Sequence, residues 1–220
     1  MASSNDSIQH YSTGVPRRHP HFYLDDGNFV MQVENAIFKV HRFFLVRHSS
    51  VLKGMFDVHK GDEDITGEGM DDSPVKLDGD SVLGWEVFLS EIYERGPIAK
   101  PQQRTKEQLL YLLRVAHKYC MVVIEGDILK ELKQDSTTEG YVTRIVASRV
   151  VDSDEVYKEA LNGLIASGVK PDLVQARKIG VDAVHAILVA PNQPRNITST
   201  VRRLCNCGRY VRGDCHLCLS

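Results

Sequence analysis

The sequence predicts an α+β domain, then an all-helical extension, then a small cysteine-rich tail. Three observations carry this. Phe29–Val33 and Ala36–Val40 flank the Glu34-Asn35 turn as a β-hairpin. From His41 the apolar residues take up helical spacing, interrupted by an acidic loop at 57–74 and a strand-like return at 75–77, and keep it as far as Leu188. Four of the five cysteines fall within the last 16 residues, beyond Pro191 and Pro194.

Residues 1–20 are rich in Ser, Asn, His and Arg, with Gly14, Pro16 and Pro20 as breakers, and read as a disordered leader. The first domain then spans 21–134. After its hairpin, Phe44, Leu45, His48, Val51, Leu52, Met55 and Phe56 keep to one helical face, broken at Ser49-Ser50, so two short helices are expected. An acidic loop occupies 57–74, with seven acids against Lys60 alone as far as Asp72. It holds too little apolar surface to fold alone and reads as solvated and open to phosphorylation. Val75-Lys76-Leu77 returns as a strand. Asp80 and Ser81 are both able to cap the next helix, whose stripe is Val82, Trp85, Phe88, Leu89 and Ile92. Thr105 and Gln108 have capping-box spacing ahead of Leu109, Leu112, Leu113 and Ala116. Ile124, Ile128 and Leu132 mark one more helix, and the lone Trp85 and Cys120 read as core residues.

The extension covers 139–190. Val142, Ile145, Val146 and Arg149 begin it. Asp152 with Glu155 reads as the cap of a helix whose face is Val156, Ala160, Leu161 and Leu164 and whose stop is Gly168. Pro171 suits the first turn of a short helix that Gly180 closes. Ala183, Val184, Ile187 and Leu188 form the last stripe. Residues 191–220 are linker and tail.

The 42% hydrophobic and 25% charged residues are ordinary for a globular chain, and the net charge of −2 favours no class of partner. The start of the chain lacks the apolar stretch of a secretory signal, and no run of about 18 apolar residues predicts a membrane span. Cysteine placement fits a reducing compartment, so a cytoplasmic or nuclear location is expected. There is no phosphate-binding glycine loop, no G-x-S-x-G elbow and no H-E-x-x-H, which argues against an enzyme.

Phe38-Lys39-Val40-His41-Arg42 is followed at matching spacing by Leu45, Ser49, Met55 and Phe56. Ile92-Tyr93 precedes Gly96, and Leu112-Leu113, Ala116 and Lys118-Tyr119 lie further on. Together these resemble the signature of the BTB/POZ family over roughly 22–134. The resemblance implies a short mixed sheet flanked by helices and a non-enzymatic protein-interaction module. It also implies homodimerisation through the helix after His41. The acidic loop, the return at 75–79 and the segment 176–181 resemble, more narrowly, the expanded BTB proteins of mushroom-forming fungi. Asn28 falls where the family commonly has an aspartate paired with the arginine matched by Arg42. An asparagine can hydrogen-bond a guanidinium but cannot neutralise it, so the family's charged pocket for co-repressor peptides does not carry over intact.

His41 and Arg42 read as a buried pair fixing the hairpin to the first helix. Phe43 and Phe44 cannot face the same way on a helix, so one is expected in the core and the other in a dimer contact. Met70-Asp71-Asp72 has the hydrophobic-any-acid form of a cullin-contact motif, with Met70 and Asp72 as its recognition ends. Cys205-Asn206-Cys207 and Cys215-His216-Leu217-Cys218 could aim four thiolates at one structural Zn2+ ion, a disulfide or free thiols being the alternatives. The expected function is a homodimerising scaffold or adaptor for other proteins. Transcriptional co-regulators and a cullin are the candidate partners. The alternative is nucleic-acid association through the tail, with five arginines against Asp214, although no recognition-helix pattern accompanies them.

Overall fold

The computed structural model of the chain describes residues 14–58, 69–93 and 104–190, with the backbone alone of 203–204 and 210–211. Its centre is a four-stranded mixed sheet in the order β1-β3-β2-β4. Strands β2 (Phe29–Val33) and β3 (Ala36–Val40) form the expected antiparallel hairpin, in register from Phe29 opposite Val40 to Val33 opposite Ala36. Glu34 takes φ 49 at the turn, as tight hairpins demand. Phe29, Val30, Met31 and Val33 are all buried, because both faces of this strand are covered. The return strand β4 (Val75–Lys76) runs parallel to β2 on its outer side.

On the other edge lies β1 (Arg17–Tyr23), parallel to β3. It begins inside the segment read as a disordered leader, which corrects that boundary. What seats it is not an apolar run but two side chains. Phe22 enters the core, and His19 is buried against Phe38, with ring centroids 4.6 Å apart. His19 Nδ1 accepts from the Phe22 amide at 3.1 Å, and Nε2 meets Glu86 Oε1 at 2.8 Å.

Helices α1 (Arg42–His48), α2 (Ser50–Val58), α3 (Val82–Tyr93), α4 (Lys106–Lys118) and α5 (Val122–Lys133) enclose the sheet. The Ser49 amide closes α1 on Leu45 O, and its hydroxyl accepts from Leu52 to open α2, so one residue makes the break. The Thr105–Gln108 capping box forms in both directions, at 3.1 and 2.9 Å. At α3 the caps are Ser81, which accepts from Gly84, and Glu34, whose carboxylate reaches across from the hairpin turn to Val82 N–H at 3.0 Å. Asp80 turns inward instead. Its Oδ2 accepts from Trp85 Nε1 at 2.9 Å and Tyr119 OH at 2.6 Å, and its Oδ1 from Lys118 Nζ at 2.7 Å. Burial, reinforced by the Asp80 hydrogen bond, pushes the Tyr119 hydroxyl well above its ordinary range. Trp85 is fully enclosed, as expected, but Cys120 is exposed at φ 50. The left-handed turn between α4 and α5 carries it outward, while Met121 takes the core position.

The extension consists of α6 (Thr138–Val150), α7 (Asp154–Ser167) and α8 (Leu173–Val189) around a second core of Val142, Ile145, Ala160, Leu164, Ile179 and Ala183. Helix α6 serves both cores, since its Ala147 belongs to the first. A Cβ at Gly163 would overlap the Tyr141 ring, so glycine sets the close approach of α6 and α7. The cap of α7 is Ser153, not Asp152, which sits at φ 48 just outside. Asp172 and Gln175 form the capping box of α8, leaving Pro171 ahead of the helix rather than in its first turn. At Gly180 (φ 80) α8 breaks into two helical pieces. Arg149 closes the first piece, donating to Lys178 O at 3.2 Å and to Ile179 O. Beyond the extension, the backbones of β5 (Arg203–Leu204) and β6 (Tyr210–Val211) pair antiparallel. No helix among the described residues is long and apolar enough to cross a membrane.

Candidate protein-interaction site

The α1 face is built where the hairpin hands over to the helix. His41 precedes α1 in extended conformation, and its amide donates to Tyr93 OH at 2.8 Å. The same hydroxyl lies 3.0 Å from His41 Nδ1, while Asp26 Oδ2 stands 3.4 Å from Nε2. This ties the start of α1 to the end of α3, and burial raises the Tyr93 pKa. Asn28 Oδ1 accepts the Arg42 backbone N–H at 2.8 Å. That corrects the expected partner: Asn28 contacts the Arg42 main chain and not its guanidinium. The guanidinium lies over Phe56, 5.1 Å from the ring centroid, and over Phe29 at 5.8 Å. Nothing among the described residues accepts from its buried Nε. Both His41 and Arg42 are half-buried rather than enclosed. Of the other signature residues, Leu45, Ser49 and Phe56 are buried and Met55 is half-buried against the same core.

Phe43 and Phe44 diverge as expected of neighbours on a helix. Phe44 packs edge-on against Tyr93 with centroids 5.0 Å apart, half-buried rather than in the core. Phe43 remains 61% exposed and touches Phe44 at 5.4 Å. Phe43 thus presents its ring at the surface of α1, one helical turn from the exposed Arg47. His48, in the last turn of α1, has its pKa lowered first by burial and then by Arg47.

A second surface is the turn 70–73. Met70 is 59% exposed, and Asp72 is exposed beside it. The middle residue, Asp71, makes the contacts. Asp71 accepts from Lys39 Nζ at 2.8 Å and from the Tyr23 hydroxyl, and these two hydrogen bonds hold its carboxyl below the usual range. Gly69 O accepts from Val30 N–H at 2.8 Å, and a Cβ at Gly69 would press on the Phe29 ring. The end of the acidic loop is therefore fastened to the sheet, and the loop's start, Asp57 and Val58, belongs to α2. Cys205, Cys207, Cys215 and Cys218 lie outside the described residues. Among those described, no group of His, Cys, Asp and Glu could hold a metal ion.

A search of curated proteins finds no match. The family model for the BTB/POZ domain matches residues 25–136, half of the chain. That span runs from the turn before β2 to the end of α5, and includes the α1 face, the Met70 turn and the Asp80 hub. With sheet, helix pair and signature residues in place, the chain belongs to the BTB/POZ domain family, whose fold is a protein-interaction module.

Proposed function

We propose that this protein is a homodimerising scaffold that recruits other proteins, with the α1 face as the contact between copies. The observation that carries the reading is Phe43. A phenylalanine left 61% exposed on a helix whose other aromatic is already half-buried offers an anchor for a matching copy. The extension, held to the BTB domain through α6, then presents a separate surface for a different partner. Light scattering of the full chain at micromolar concentration tests the reading against the monomer mass of 24.7 kDa. The dimer mass is expected, and Phe43→Glu should weaken association by at least about tenfold while preserving the circular dichroism spectrum. A wild-type chain that scatters as a monomer overturns it.

The exposed Met70 favours one further version, a cullin-type adaptor contact through Met70 and Asp72. Loss of cullin capture on Met70→Ala, with dimerisation intact, would support it; unchanged capture would count against it. For the tail we propose one structural Zn2+ on Cys205, Cys207, Cys215 and Cys218. Four thiolates can supply on the order of 10 kcal/mol to a segment too short to fold on apolar burial alone. About one equivalent of zinc in chelator-free protein, lost in a Cys207→Ser and Cys215→Ser variant, is the expected analysis. Zinc retained by that variant would refute the assignment.

A further inference from the structure

We infer that Ser73 is a phosphorylation site for a proline-directed protein kinase, and that the phosphate lands beside the Met70 turn. Ser73-Pro74 is the one place in the chain where a serine or threonine precedes proline. Proline has no N–H to leave unpaired, so an apolar kinase pocket without an acceptor takes it in preference to any other residue. Lys76 follows three positions after the acceptor. Extended backbone puts its amine roughly 10 Å down the chain from Ser73, within reach of an acidic or phosphorylated subsite.

The structure presents this tetrapeptide in usable form. Ser73 is exposed, and its hydroxyl makes no hydrogen bond among the described residues. Its amide closes the turn on Met70 O at 3.1 Å, which holds the hydroxyl at the surface. Val75–Lys76 is a strand of two residues at the sheet edge, paired among the described residues to β2, and Lys76 is exposed. An edge this short opens locally at small cost.

The transfer balances simply. The Ser73 oxygen bonds to the γ-phosphorus of ATP, the bond to the β-phosphate oxygen breaks, ADP leaves and the hydroxyl proton is released. The product adds about 1.5 to 2 negative charges next to Asp71 and Asp72. That charge opposes the Asp71 carboxylate, which already holds Lys39 and Tyr23.

The test incubates the folded full chain with a cyclin-dependent kinase and ATP, and maps phosphate by tandem mass spectrometry. One dominant phosphate on Ser73 is expected, with none at that position in Ser73→Ala. Lys76→Ala should slow incorporation about tenfold and Lys76→Arg should restore it, each checked for native circular dichroism. The inference is overturned by no incorporation at Ser73, by incorporation only after thermal unfolding, or by an undiminished rate in Lys76→Ala.

Discussion

Around the sheet, Trp85, Phe88, Phe38 and Phe29 are buried together, and α3 and α4 are pinned by a carboxylate that no solvent reaches easily. In the extension, six buried apolar side chains make the core, two of them alanine. Polar devices hold the rest: Ser153 and Asp172 at helix starts, and Arg149 on the broken end in α8. Caps serve both regions, but the extension has far less apolar volume beneath them. Because α6 packs on α4 and α5 and also carries Val142 and Ile145 of the second core, the two regions share one helix. The proposed contact residue, Phe43, lies on the region with the larger core.

The largest expected effect comes from removing the central aromatic. Trp85→Ala should cost about 3–5 kcal/mol and leave Asp80 without one of its donors, so that sheet and extension melt together in urea. A transition confined to the sheet would break the idea that α6 couples the two cores. Asp80→Ala strands the buried Tyr119 hydroxyl and the indole N–H, and about 2–4 kcal/mol should be lost. Arg149→Ala acts in the other region. It should cost about 1–2 kcal/mol and raise amide exchange in α8 while the sheet amides hold. Equal loosening of both would erase the distinction.

The smallest effect is electrostatic. Asp135 is held at about 2, first by its hydrogen bond to Lys106, then by the side chain and amide of Thr137. A carboxylate with a lowered folded-state pKa stabilises fully above its ordinary range. That contribution fades as pH falls from 3.8 towards about 2. Asp135→Asn should therefore cost about 1 kcal/mol at neutral pH, shrinking towards nothing as pH falls through about 2. A deficit that persisted in acid would assign the effect to packing instead.

What could be read from the chain was whatever lies close along it. The hairpin, the break at Ser49, the Thr105–Gln108 box and the Trp85 stripe are local patterns, and all are present. Strand β1 is not legible in the sequence because Arg17-Arg18-His19-Pro20 looks polar, and its seating rests on a histidine that finds Phe38 and Glu86 far along the chain. Of the two candidate caps Asp80 and Ser81, only distance along the chain hides the inward role of Asp80, since its partner Tyr119 lies 39 residues away. Helical periodicity does not foresee the positive φ that turns Cys120 out. At the candidate site, the choice between Phe43 and Phe44 needed Tyr93, and Asp71 needed Lys39 and Tyr23 as partners across the sheet.

The central claim is that copies of this chain meet through α1. Hydrogen exchange measured by mass spectrometry, below and above the concentration at which the chain associates, reads that face directly. Helix α1 has only seven residues and should fray on its own, so burial by a partner must slow its amides markedly. The account predicts slower exchange over Arg42–His48 on association, with α8 unchanged. Slowing in α8 with α1 unaffected would move the contact to the extension and contradict it.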